Sequence, residues 1–178
     1  MLRTLSILIF CLFYLVNCSS SNNNAKNVTK EVRTPEEIYI QARNLFDKEQ
    51  YDLANEQFRK LKKLYPLSNE AIQSEIMIGF ISYLKLDYES AIFQFDRIIN
   101  KFPSHKDLDY VYYMKALCNY EQITNHALDG TFNEISIDNF QQVINRFPDS
   151  KYAKDSRQKI ILINSNKAAK HMEIGRFY

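Results

Sequence analysis

Apolar residues recur at helical spacing from about residue 35 onward, and three stretches repeat the same pattern in register. They are Ala54-xxx-Phe58-xx-Leu61-xxx-Tyr65-Pro66, Ala91-xxx-Phe95-xx-Ile98-xxx-Phe102-Pro103 and Ser136-xxx-Phe140-xx-Val143-xxx-Phe147-Pro148. Steps of four, three and four residues place these side chains on one stripe of a helix. The proline then predicts the end of each helix, because the residue before it is pushed out of the α region. A second predicted helix precedes each of these, carrying Ile38, Ala42, Leu45 and Phe46, then Ile72, Ile76, Gly79, Phe80 and Tyr83, then Leu108, Val111, Tyr112, Ala116 and Tyr120. Ala42 stands 24 residues before Pro66 and Gly79 stands 24 before Pro103, so a small residue recurs where paired helices would approach. Ala116 stands 32 before Pro148, so the third unit carries eight extra residues, placed near Asn125–Glu134 by the turn signal Asp129-Gly130.

Polar residues at the predicted ends agree. Thr34-Pro35-Glu36-Glu37 reads as a capping box with proline in the first turn. Asp52, Ser68, Asp87 and Ser150 are each expected to cap a helix. The segment after Pro148 holds no proline and one glycine, Gly175, so Lys151–Tyr178 is predicted to be mostly helical. The predicted fold is all-α, a superhelix of antiparallel helix pairs. Its units fall at about 35–66, 69–103 and 107–148, followed by 151–178.

The first 30 residues have a different pattern. Leu5 to Val16 is apolar except for Ser6 and follows Arg3. That is too short for a bilayer span, which takes about 20 residues, and suits the apolar region of a secretory signal. It ends at Leu15-Val16-Asn17-Cys18, which reads as a lipoprotein processing site with Cys18 as the first mature residue. Asn17 stands where Gly, Ala or Ser is usual, and an ordinary secretory signal or an uncleaved anchor are the alternative readings. Residues 1–17 are thus expected to be a lipoprotein signal peptide. Residues 18–30 would be the lipidated cysteine and a polar tether, SSSNNNAKNVTK, of a composition that stays flexible. Residues 31–178 would form the repeat domain.

Composition narrows the function. With 23 basic and 21 acidic side chains the charge is nearly balanced, which gives no reason to expect nucleic acid. Of the three cysteines, Cys11 would leave with the signal and Cys18 would be acylated, leaving Cys118 without a disulfide partner. Cys118 is expected to be a small core residue, since no histidine stands in a catalytic arrangement with it. No P-loop, dinucleotide-binding glycine motif, zinc pattern or nucleophile elbow is found, and the acidic residues Asp107, Asp109, Glu121 and Asp129 lack metal-ligand spacing. Binding rather than catalysis is the expectation, with no metal and no cofactor beyond a diacylglycerol and an N-acyl lipid on Cys18.

The repeated small, aromatic and proline positions resemble the tetratricopeptide (TPR) pattern, in which stacked helix pairs share one continuous core. Such a stack curls and leaves a concave face lined mostly by the first helix of each pair. Tyr39 and Tyr83 on first helices, and Tyr110 and Tyr113 in the cluster around Tyr112, are candidates for a surface that docks extended peptides. Tyr112 is read as a core residue. The run Lys60-Leu61-Lys62-Lys63 reads mainly as a solvated face, with contact to anionic lipid head groups as the sharper alternative.

Three stretches carry a narrower resemblance: Asp109 to Leu117 (DYVYYMKAL), Arg146 to Asp155 (RFPDSKYAKD) and Met172 to Tyr178 (MEIGRFY). Together with the Cys18 motif they resemble the BamD-type outer-membrane assembly lipoproteins, over essentially all of residues 30–178. That family continues for a further helix pair past the aromatic end seen here. The resemblance implies a lipid-anchored scaffold at the periplasmic face of the outer membrane. Its implied partners are the periplasmic domains of the barrel-forming BamA subunit, other lipoproteins of the assembly machine and unfolded outer-membrane proteins. A general periplasmic TPR lipoprotein of the cell envelope is the alternative.

Overall fold

A computed structural model of the chain describes residues 33–123 and 130–177. The expected signal peptide, Cys18, the expected tether and part of the third-unit insertion lie outside the described residues. Seven helices and no strand are present among those described: α1 (Pro35–Asp47), α2 (Tyr51–Leu64), α3 (Asn69–Leu84), α4 (Tyr88–Lys101), α5 (Leu108–Glu121), α6 (Thr131–Arg146) and α7 (Lys151–Phe177).

Local chemistry sets most boundaries. At α1 the Thr34 hydroxyl accepts from the Glu37 amide while the Glu37 carboxylate accepts from the Thr34 amide, completing the capping box. Ser68 caps α3 through the Ala71 amide, and Asp87 caps α4 through the Ser90 amide. Ser150 accepts from the Tyr152 amide at the start of α7. The second helices end alike. Tyr65, Phe102 and Phe147 each precede proline, and their φ/ψ values are −134°/60°, −129°/60° and −135°/59°. The ring of the next residue forbids the α region there, so the same sequence feature yields the same exit three times.

One capping expectation is corrected. Asp52 is not the N-cap of α2; Gln50 holds that position and makes no side-chain cap. Tyr51 and Tyr88 open α2 and α4, so Gln50 is the equivalent of Asp87 and Asp52 is the second residue of its helix. Its carboxylate instead pairs with Lys85 at 2.7 Å on the exposed turn. The two turns share a further feature. Glu49 (φ 59°) and Leu86 (φ 60°) both occupy the left-handed region that usually calls for glycine.

Consecutive helices pack as antiparallel pairs, and each first helix also touches the next first helix along one face. Phe58, Phe95 and Phe140 are fully buried, one in each pair, beside Leu61, Ile98 and Val143. Gly79 permits the close approach of α3 to α4, since a β-carbon there would lie 2.7 Å from Phe95 Cε1. Helix α3 is apolar on all sides and is buried by its neighbours, with eight buried residues from Ala71 to Ile81. Cys118 is fully buried in the cluster with Phe95, Val111 and Met114. Burial pushes its thiol up to about 12, which removes the thiolate that reactivity requires.

Candidate functional site

The first helices α1, α3 and α5, with the opening of α7, line a groove. Two adjoining cavities of about 500 and 870 Å³ share Tyr39, Gln73, Lys106 and Asp107. The larger extends toward Glu36, Ile40 and His105 at the α1 and α4–α5 end. The smaller runs over Ile76, Met77 and Phe80 to Tyr110 and Tyr152.

Each wall is held by a contact from one repeat to the next. Gln73 Nε2 donates to Asp107 Oδ2 at 2.5 Å, tying α3 to the α4–α5 turn in the middle of the groove. Arg43 Nη1 donates to Met77 Sδ at 3.5 Å, and the Arg43 guanidinium lies 5.3 Å from the Phe46 ring centre. Tyr39 packs on the buried Phe58 ring at 5.7 Å. Tyr110 sits 5.5 Å from Tyr152, over which the Lys151 ammonium lies at 4.9 Å. Ser150 Oγ donates to Asp109 Oδ2 at 2.6 Å, which fixes the start of α7 against α5. The result is an aromatic and thioether floor with cations Arg43, Lys106 and Lys151 and carboxylates Asp107 and Asp109 at its rim.

Of the four tyrosines singled out from sequence, Tyr39 and Tyr110 line this groove together. Tyr83 and Tyr113 are not among its lining residues. Tyr83 stacks on Phe80 at 6.1 Å, and its hydroxyl donates to Glu121 Oε1 at 3.5 Å. Tyr113 stacks on Tyr152 at 5.0 Å and donates to Asp155 Oδ2 at 2.5 Å, bracing α5 against α7. Tyr112 is also corrected. It is half-buried at the edge of α5 rather than in the core, 5.6 Å from Phe147 with the Arg146 guanidinium 5.1 Å over its ring. Its neighbours Val111 and Met114 take the core direction instead. Burial raises the phenols of Tyr39, Tyr110 and Tyr113 above their usual value, and burial then Glu121 raise Tyr83 to about 12. The Tyr39 and Tyr110 hydroxyls therefore stay neutral donors and acceptors across physiological pH. Arg43, Gln73, Met77 and Tyr152 were not singled out from sequence.

Stacked helix pairs that leave a polar, aromatic groove along their first helices define a TPR-like scaffold. A solved structure titled MamA RS-1 ArsTM double mutant has the same fold, with a TM-score of 0.52, 17% identity and coverage of 79% of this chain and 80% of that one. The family model described as outer membrane lipoprotein (YfiO) matches residues 31–178, and the chain belongs to that family. An outer membrane protein assembly factor BamD from Rickettsia prowazekii is 36% identical over 178 residues, covering 99% of this chain and 68% of the relative. A BamD from Caulobacter vibrioides is 32% identical over 148 residues, covering 83% of this chain and 48% of the relative. The chain thus belongs to an outer membrane lipoprotein family whose relatives carry the name outer membrane protein assembly factor.

Proposed function

We propose that the chain is a lipid-anchored scaffold of the outer-membrane β-barrel assembly machine. In this reading Cys18 carries a diacylglycerol and an N-acyl lipid and holds the repeat domain at the periplasmic face. The repeat domain binds the BamA subunit, sits beside other lipoproteins of the machine and takes unfolded outer-membrane proteins as clients. Membership of the outer membrane lipoprotein family supports the setting. The observation that carries client binding is the groove itself, where Tyr39, Met77, Phe80, Tyr110 and Tyr152 offer an apolar floor with polar groups on both sides. An extended peptide alternates its side chains and leaves its backbone groups free, which suits such a surface. The groove tyrosines Tyr39 and Tyr110 would touch the client directly, with Tyr113 bracing Tyr152 and Tyr83 bracing Phe80 from behind.

The test is a native pull-down from detergent-solubilised envelopes with a C-terminal tag and mass identification. Co-purification of the BamA subunit is the expected result. Recovery of a membrane-bound chain without BamA would overturn the assembly-machine reading.

A further inference from the structure

The turn between α2 and α3 and the last turns of α2 and α4 form an edge that the groove does not use. Glu75 is buried, and three cations converge on its carboxylate: Lys62 at 3.5 Å, Arg97 at 3.4 Å and Lys101 at 3.3 Å. One negative charge facing three positive ones leaves an excess of two. Lys60 and Lys63 add two more exposed cations on α2, with no ion pair among the described residues. Beside them Leu64 is 53% exposed and Leu67 is 96% exposed, more than any other large apolar side chain described. Neither leucine is among the residues that line the two groove cavities.

We propose that this basic and apolar edge docks on an anionic lipid surface, with Leu67 entering the interface and the lysines meeting head-group phosphates. An apolar side chain flanked by cations is the chemistry of interfacial membrane contact. The way the chain enters the domain favours a bilayer over an acidic protein. The Tyr65 hydroxyl, one residue before Pro66, donates to the Arg33 carbonyl at 2.7 Å, so the domain's first described residue is fixed at this edge. Cys18 lies 15 residues earlier in the chain, a maximum reach of about 50 Å. The inference rests on the lipid-anchor reading. Given that anchor, the edge is confined near head groups at high effective concentration, so weak contacts suffice.

The chain contains no tryptophan, so one indole can report. The lipidated full chain carrying Leu67→Trp is reconstituted into vesicles of phosphatidylcholine alone, or with phosphatidylglycerol, each containing brominated lipid. A Leu53→Trp chain, with its reporter in the first turn of α2, serves as the control. The expected result is blue-shifted, quenched emission for Leu67→Trp in anionic vesicles only. It should be reversed in about 1 M salt, where the screening length falls to about 3 Å, and lost in Lys60→Glu/Lys63→Glu. Emission from Leu53→Trp should not change. Flotation with the vesicles but no quenching overturns the edge proposal and leaves the anchor standing. Failure to float overturns the anchor and this proposal with it. A Leu67→Trp indole silent in vesicles but shifted by polyglutamate would assign the edge to an acidic protein and overturn the proposal too.

Discussion

Two single residues depart from what their neighbours would favour, and each has a measurable consequence. Leu86 holds a left-handed backbone at φ 60° while its side chain is 71% exposed, so little packing offsets the strain. The left-handed conformation costs an L-residue about 1–2 kcal/mol, and glycine gives back about 0.5–1 kcal/mol in unfolded-chain entropy. Leu86→Gly is therefore expected to raise stability by about 0.5–1 kcal/mol, read as a higher urea midpoint at unchanged slope. An unchanged or lower midpoint would refute the strain argument. Cys118 makes a pH prediction. Its folded pKa is raised from 9.0 to about 12 by burial. The unfolded thiol therefore loses its proton first as pH rises. The stability this group contributes is fully present below pH 9 and is lost between about 9 and 12. Cys118→Ala should flatten that part of the stability–pH curve, and the native thiol should resist alkylation at pH 8. Rapid alkylation of the folded chain would contradict the burial.

Elements were the most legible level, because each carries its own boundary chemistry. The aromatic-proline pairs at 65–66, 102–103 and 147–148 predicted three helix ends, and all three share one backbone geometry. The turns at Glu49 and Leu86 were not legible, since the glycine that would announce a left-handed residue is absent from both. Asp52 was misread because capping residues are common in first turns, and only alignment on Tyr51 and Tyr88 shows the shift. Glu75 could not be read at all. It stands on an apolar helix, and its three cations come from α2 and α4. With the carboxylate gone, those cations face one another across a partly buried site. Glu75→Gln is expected to lower stability by about 1.5–3 kcal/mol, the range for hydrogen bonds to charged groups. Part of that loss should be recovered between about 0.1 and 1 M salt, as the screening length falls from about 10 to 3 Å. Urea denaturation at the two salt concentrations measures both effects. A deficit independent of salt would mean that packing, not charge, sets the role of Glu75.

At the scale of the molecule, the groove is held together by contacts one repeat apart. Gln73–Asp107 and Arg43–Met77 are each separated by 34 residues, and Lys85–Asp52 by 33. No single helix announces such contacts, which is why the repeat pattern exposed the stack while Arg43, Gln73, Met77 and Tyr152 stayed hidden. Tyr39 and Tyr110 are aromatic residues on first helices, and both line the groove. Tyr83 and Tyr113 also stand on first helices but are turned against α4 and α7 neighbours by stacking and by carboxylate partners. The groove's rim makes the client reading specific. Lys106 and Lys151 lie on opposite sides of Asp107 and Tyr110 in sequence, yet line one cavity with Arg43. A client strand that ends in a free carboxylate would place its charge against them. A hydrogen bond to a charged group contributes about 1.5–3 kcal/mol, so amidating the client peptide's C-terminus should weaken binding at least about tenfold. The same amidation should have a smaller effect on Lys106→Ala/Lys151→Ala, because two of the three facing cations are already gone. Fluorescence titration of acid and amide peptides against both proteins closes that cycle. If both proteins lose the same factor on amidation, the carboxylate sits elsewhere. If neither loses affinity, the groove reads the strand's side chains and not its end.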